Sequence, residues 1–410
     1  MNLRKRAQTV IVGGGAVGCA VACSLAEAGR KDIIVIEKED GLATETTSQA
    51  AGLVGQVRGT VEEVKLLMWS AETFERLQAD SPESPAWRKV GSLRVAHCDE
   101  RIEEFKNLKA VADEAGLETE FIDNDRAREL WPLMTFEGVK AVLWCPSDGY
   151  VQPYDLTMSY AGEARKLGVE FHTGVRVTGV KIENGRVAGI ETDQGEVECE
   201  LLINAAGAFA YQLASSVGIE LPIFPVRHQF FVTIECAGIE PTLPIVRMPD
   251  ASIYVRSEVN SILVGGWEPG SLSTDPRTIP LDGEQPLVEE EWEVLKFLFE
   301  NVQPQVPAIN DELGIRHISK GWPTFTPDGR FIIGESSKVK GFVMAGGCNA
   351  HGVSGSAGIG RHVVESMLED TPSDYVRSLS PDRFSENDWN WEVARGDAQR
   401  IYETYYCLGH

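Results

Sequence analysis

Three glycines near the start of the chain stand at a spacing that can hold a phosphate. Gly13, Gly15 and Gly18 give G-x-G-x-x-G directly after TVIV, a β-branched run of the kind buried on both faces in a parallel sheet. Gly13 permits a tight turn, Gly15 lets the backbone approach a pyrophosphate, and Gly18 lets a helix pack on the strand. The helix that follows, about Ala16 to Ala28 with Gly29 at its end, offers unpaired N–H groups and a positive dipole end at Ala16 and Val17. A second strand, DIIVIE, ends in Glu37, which lies 22 residues after Gly15, where a carboxylate accepts a ribose hydroxyl. Strand, glycines, helix, strand and terminal acid in that order predict a dinucleotide site. The glycines alone do not choose which dinucleotide.

The elements around this site are those of an α/β protein. With 410 residues the chain is long enough for two or more domains. Its net charge of -24, from 38 basic against 62 acidic residues, repels phosphate backbones, so no nucleic-acid partner is expected. No stretch approaches 18 uninterrupted apolar residues, and no membrane span is expected. The eight cysteines are scattered without a CxxC or a His/Cys cluster at zinc spacing. Free thiols in a cytoplasmic protein without a metal are the plain reading.

Three later segments choose the cofactor, by resemblance. TTSQAAGL, at residues 46–53, resembles the stretch after the second strand in the D-amino-acid oxidase superfamily. GVEFHTGVRVTGVKIENGRVAGIETDQGEVECELLINAAGAFA, at 168–210, resembles that family's second FAD segment. GRFIIGESSKVKGFVMAGGCNAHGVSGSAGIGRHVVESML, at 329–368, resembles its closing segment. The likeness covers about residues 8–385 and is closest to the flavin half of the dimethylglycine and sarcosine dehydrogenases, with glycine oxidase also similar. It does not extend to the folate-binding half that follows there. The resemblance implies FAD, held by Gly13, Gly15, Ala16, Val17, Gly18, Glu37, Lys38, Thr47, Ser48, Gln49, Ala51, Gly52 and Leu53. From the later segments it adds Val177, Ala206, Gly207, Gly347, His351, Gly352, Val353 and Ser354. In the dimethylglycine dehydrogenase relatives a histidine directly before AAGL is bonded to the flavin. Gln49 occupies that position here, so the FAD is expected to be non-covalent.

Because the FAD segments are far apart, the Rossmann-like FAD domain must be discontinuous, with pieces at 1–80, 145–220 and 325–372. The pieces 81–144 and 221–324 are then an α+β substrate domain with an antiparallel sheet, and 373–410 is an extension. The resemblance implies hydride transfer from a C–H beside nitrogen to flavin N5, in a secondary or tertiary amine such as an N-methyl amino acid. Oxidation of a primary amino acid or 2-hydroxy acid, and a non-catalytic flavoprotein subunit, stay open at this point. His228, in PVRHQFFV, is the candidate for tuning amine protonation, because an imidazole titrates near neutrality. Tyr254 matches an active-site tyrosine position. Arg58 and Arg256 are candidates for a substrate carboxylate. Trp322, with Phe325, offers an aromatic wall for a methylated ammonium, and His351 lies within the flavin loop. No Lys occurs between Lys181 and Lys296. Related oxidases place a Lys near the flavin to promote reaction with oxygen, so an electron carrier is the expected acceptor.

Overall fold

Four-residue apolar runs become strands that helices cover from both sides. The computed structural model describes residues 3–81, 83–310, 312–385 and 389–406. Six strands stand in the order Ile332–Glu335, Phe342–Gly346, Leu201–Asn204, Thr9–Val12, Ile33–Ile36 and Glu170–His172. All neighbours are parallel except the edge pair of Ile332–Glu335 with Phe342–Gly346. Val10 pairs with Ile34 on one side and Leu202 on the other, and every residue of those three strands is buried.

One face of this sheet carries the helix Ala16–Glu27, which packs against Pro153–Lys166 and Ser356–Leu368. Small residues set how close these helices come: a Cβ on Gly360 would lie 2.5 Å from Ser24 Oγ. The other face is covered by an antiparallel meander, Val177–Glu183, Arg186–Thr192 and Gly195–Glu198. Its first turn is Asn184–Gly185, both at positive φ, as a two-residue hairpin turn requires.

The second sheet has eight strands, in the order Ile315–Gly321, His228–Thr233, Ser261–Gly266, Ile253–Glu258, Ile245–Met248, Ser92–Ala96, Ala141–Cys145 and Glu120–Ile122. Its pairings are antiparallel with one exception. Ile245–Met248 runs parallel to Ser92–Ala96, because there two distant stretches of chain meet instead of a hairpin. Alternation along the strands sorts the side chains. Phe231, Val255 and Val264 face the helix Trp292–Val302, and Phe230, Val232, Tyr254 and Leu263 face the opposite way. His228, two residues before Phe230, therefore shares the face of Tyr254.

A C-terminal helix, Trp391–Glu403, lies against that second face. Asn390 caps it by accepting the N–H groups of Glu392 and Val393. Its buried residues, Ala394, Ala398 and Tyr402, recur every four positions and join the cluster of Phe224, Phe325 and Trp267.

Candidate active site

The glycine turn has the close contacts that its spacing implies. Gly13 is at φ +113, and a Cβ on it would lie 2.3 Å from the Ala205 carbonyl oxygen. Gly18 packs helix on strand, since its Cβ would lie 1.9 Å from Gly13 O, and it does not line the cleft. Gly15 caps the helix, and Thr47 Oγ1 accepts the Ala16 N–H at 3.1 Å. Glu37 accepts Gly14 N–H at 2.7 Å and Glu39 N–H at 2.9 Å. Burial raises its pKa, against the pull of those two N–H groups. Around the Lys38 ammonium gather Glu39 at 2.6 Å, Glu45 at 2.8 Å and Glu284 at 3.3 Å. The lysine itself supplies the cation for these three carboxylates.

From this turn a cleft runs between the two sheets to the loop before the helix Ser356–Leu368. Of the residues expected to hold FAD, Gly13, Gly15, Ala16, Val17, Glu37, Lys38, Thr47, Gln49, Ala51, Gly52 and Leu53 line it. Val177, Ala206, Gly207, His351, Gly352, Val353 and Ser354 do so from the later segments. Ser48 does not: its hydroxyl turns back to the carbonyls of Thr44 and Glu45. Gly347 also stands off the cleft, packed towards Thr326 and Ile332, while Gly346 and Cys348 line it. Backbone N–H groups at a bare glycine turn, a buried acid beside them and a long cleft leading away fit an extended dinucleotide.

At the far end the side chains are chemical. His228 Nε2 lies 2.9 Å from the Tyr254 hydroxyl, and Nδ1 lies 2.9 Å from the Tyr402 hydroxyl. Burial, and then the charge of Arg227, push the His228 pKa down to about 3. The expected titration near neutrality is thus not met, and His228 is a neutral imidazole in this site. Tyr402 donates to Glu268 at 2.7 Å, and Glu268 pairs with Arg227 at 2.6 Å. His351 Nε2 meets the Tyr405 hydroxyl at 2.7 Å, and the Tyr405 ring stacks on Trp267 at 4.1 Å.

A group of arginines borders the same space. Arg247 donates to the Tyr406 hydroxyl at 2.8 Å and lines the cleft together with Arg58. Arg94 stands behind them, donating to Val57 O at 2.9 Å, and burial with the charges of Arg247 and Arg58 pushes it down to about 10. Among the described residues none of the three has a carboxylate within salt-bridge distance.

Arg256 is placed differently from the expectation. It pairs with Glu258 at 2.6 Å, donates to Ala51 O, lies over the Tyr150 ring and does not line the cleft. It shares the face of Tyr254 but sits one alternation further along the strand, where an acid is waiting. Trp322 lines the cleft with its indole N–H on Pro286 O at 2.7 Å. Phe325 belongs to the core: it is fully buried and meets Tyr402 edge-on.

Sequence reasoning missed Arg247, Trp267, Glu268 and the tyrosines 402, 405 and 406. A signal existed for two of these groups. Arg247 interrupts the apolar strand PIVRMP, and a buried arginine needs a partner. The tail reads IYETYY, too aromatic for a solvated extension.

A model of the FAD dependent oxidoreductase family matches residues 8–366, and the chain belongs to that family. It is 34% identical over 390 residues to 4-methylaminobutanoate oxidase (formaldehyde-forming) of Paenarthrobacter nicotinovorans, covering 95% of this chain and 47% of that protein. It is 29% identical over 410 residues to the mitochondrial dimethylglycine dehydrogenase of Rattus norvegicus, covering 98% and 47%. The chain thus spans about half the length of the curated relatives it matches. Among solved structures, L-proline dehydrogenase from P. horikoshii has the same fold, with a TM-score of 0.85 at 24% identity over 95% of this chain and 100% of that one. Among the described residues no helix is long and apolar enough to cross a membrane.

Proposed function

We propose that this chain oxidises a secondary or tertiary amine that carries a carboxylate, with an N-methyl amino acid as the substrate class. One observation carries the reading. Among the described residues, two guanidiniums that line the cleft, Arg58 and Arg247, and a third behind them, Arg94, lack an acid partner beside a pair of uncharged side chains, His228 and Tyr254. Buried charge without a partner is costly, and a substrate carboxylate would meet it with charge-assisted hydrogen bonds. The substrates named for the two curated relatives, methylaminobutanoate and dimethylglycine, both join an N-methyl amine to a carboxylate.

Bound FAD supplies the two-electron acceptor for a hydride from the carbon beside nitrogen. The residues of this chain do the rest. Arg247 and Arg58 orient the carboxylate end, Trp267 and Tyr405 wall the cleft against water, and Tyr254 faces the amine. Hydrolysis of the resulting imine gives the demethylated amine and formaldehyde. Among the described residues Lys38 is the sole lysine lining the cleft, and its ammonium is held by carboxylates, which supports an electron carrier as acceptor. The free thiols of the seven described cysteines fit a cytoplasmic setting.

The test is anaerobic mixing of the yellow holoprotein with matched compounds. N-methyl amino acids, the same amines without a carboxylate, primary amino acids and 2-hydroxy acids are each scored for flavin bleaching. Bleaching by N-methyl amino acids, at least tenfold faster than by the uncharged matches, is the expected result. Faster bleaching by primary amino acids or hydroxy acids would reassign the substrate, and no bleaching by any compound would point to a non-catalytic subunit.

A further inference from the structure

Behind the Tyr254–His228 pair the hydrogen bonds continue away from the cleft, and their directions can be assigned one from the next. Glu268 is 3% exposed and paired with Arg227, so as a carboxylate it only accepts. The single Tyr402 proton is therefore donated to Glu268 Oε2 at 2.7 Å. That leaves the Tyr402 oxygen to accept from His228, which places the imidazole proton on Nδ1. Nε2 is then bare and accepts the Tyr254 O–H at 2.9 Å. The lone pairs of Tyr254 are what remains to face the cleft. Tyr254 and His228 line the cleft, whereas Tyr402 and Glu268 do not, so the chain leads from the reacting end into the protein.

We propose that Tyr254, His228, Tyr402 and Glu268 form a proton relay that takes the ammonium proton of the substrate out of the cleft, with Glu268 as its terminus. The proposal rests on the amine-oxidation reading above. An amine must be neutral before a hydride leaves its neighbouring carbon, and most aliphatic amines are protonated at neutral pH. In the relay the ammonium N–H proton passes to the Tyr254 oxygen, and the Tyr254 proton passes to His228 Nε2. The Nδ1 proton passes to Tyr402, and the Tyr402 proton passes to Glu268. The result is a neutral amine, an uncharged Glu268, and all three intermediates returned to neutrality.

A concerted transfer suits these groups, because burial disfavours the charged form of each intermediate. Glu268 is a better proton acceptor than an ordinary carboxylate, since burial raises its pKa more than Arg227 and Tyr402 lower it. Once Glu268 is protonated, Arg227 keeps Glu291 as its partner, at 2.9 Å. The iminium left by hydride loss and one water already give formaldehyde and the amine as its ammonium, so the proton on Glu268 returns through the relay to solvent once the product has left the cleft. The charged and titratable groups facing the relay are Arg227 and Glu291 at Glu268, Arg227 at His228, and Tyr406, Arg247 and Arg256 at Tyr254. In this scheme Tyr254 touches substrate, while His228, Tyr402 and Glu268 act through it as positioning residues.

The experiment measures flavin reduction in the holoprotein against pH, using the fastest amine of the panel. Tyr402→Phe keeps the ring and the Arg227–Glu268 pair, and Glu268→Gln keeps a hydrogen-bond acceptor without a base. Both are expected to keep FAD and to reduce it on the order of a hundredfold more slowly at neutral pH. Both should recover towards the wild-type rate as pH approaches the pKa of the free amine, where substrate arrives neutral. The double variant should be no slower than the slower single one. Unchanged pH profiles, or a loss that is equal at every pH, would overturn the relay while amine oxidation stands. A wild type that no amine reduces would overturn the function, and the relay with it.

Discussion

Gln49 stands where the dimethylglycine dehydrogenase relatives have a flavin-linking histidine, and in the structure it lines the cleft near Gly321. An amide side chain forms no bond to the flavin. Acid precipitation of the holoprotein should therefore leave the yellow colour in the supernatant, and colour in the pellet would contradict this. At this scale the sequence was legible wherever a residue had a local signature. Gly13, Gly15 and Glu37 stand in their pattern of strand, turn and helix, and His228 and Tyr254 are 2.9 Å apart. It was illegible where the role depends on position along a strand. Arg256 and Tyr254 share one alternation, and nothing in SIYVRSE tells that the arginine lies beyond the cleft and beside Glu258. The imidazole pKa was likewise out of reach, because it depends on burial by tail residues about 170 positions away.

Three elements build the reacting end: the two strands that present His228 and Tyr254, and the helix Trp391–Glu403 that closes over them. Apolar alternation made the strands readable. The buried stripe of the helix is Ala394, Ala398 and Tyr402, with Trp391 and Ile401 partly buried beside it, and a stripe with two alanines at its centre carries little apolar signal to reveal a docked helix. Ala398 is fully buried, so Ala398→Glu places a charge in the cluster of Phe325 and Trp267. That variant should undock the tail and lower flavin reduction at least tenfold. Its FAD content should stay close to wild type, because the glycine turn is held by other segments. Equal loss of FAD and reduction would show that the tail supports the whole cleft instead of its reacting end.

Across the whole molecule, we propose that the two sheets mark two domains, with the FAD part assembled from the three segments read in the sequence. The cleft between them holds two histidines neutral. His228 is pushed down to about 3, and His351 well below its ordinary value by burial and then by Arg58 and Arg247. The unfolded chain binds a proton on each below about pH 6.5, whereas the folded one does not, so stability falls as pH drops through that value. The loss is at most about 1.4 kcal/mol per pH unit for each histidine. Urea midpoints at pH 7.5 and 5.5 should show this drop, and His351→Asn should make it smaller. An equal drop in the variant would assign it to other groups. The closing helix also sets an order of events during synthesis. Tyr402 leaves the ribosome 135 residues after Trp267, the ring it packs against edge-on. At about 5–20 residues per second that interval lasts roughly 7 to 27 seconds. The strands and the loop up to Ser354 that complete the cleft emerge within that interval, and until Tyr402 follows them the reacting end has no cover from the closing helix.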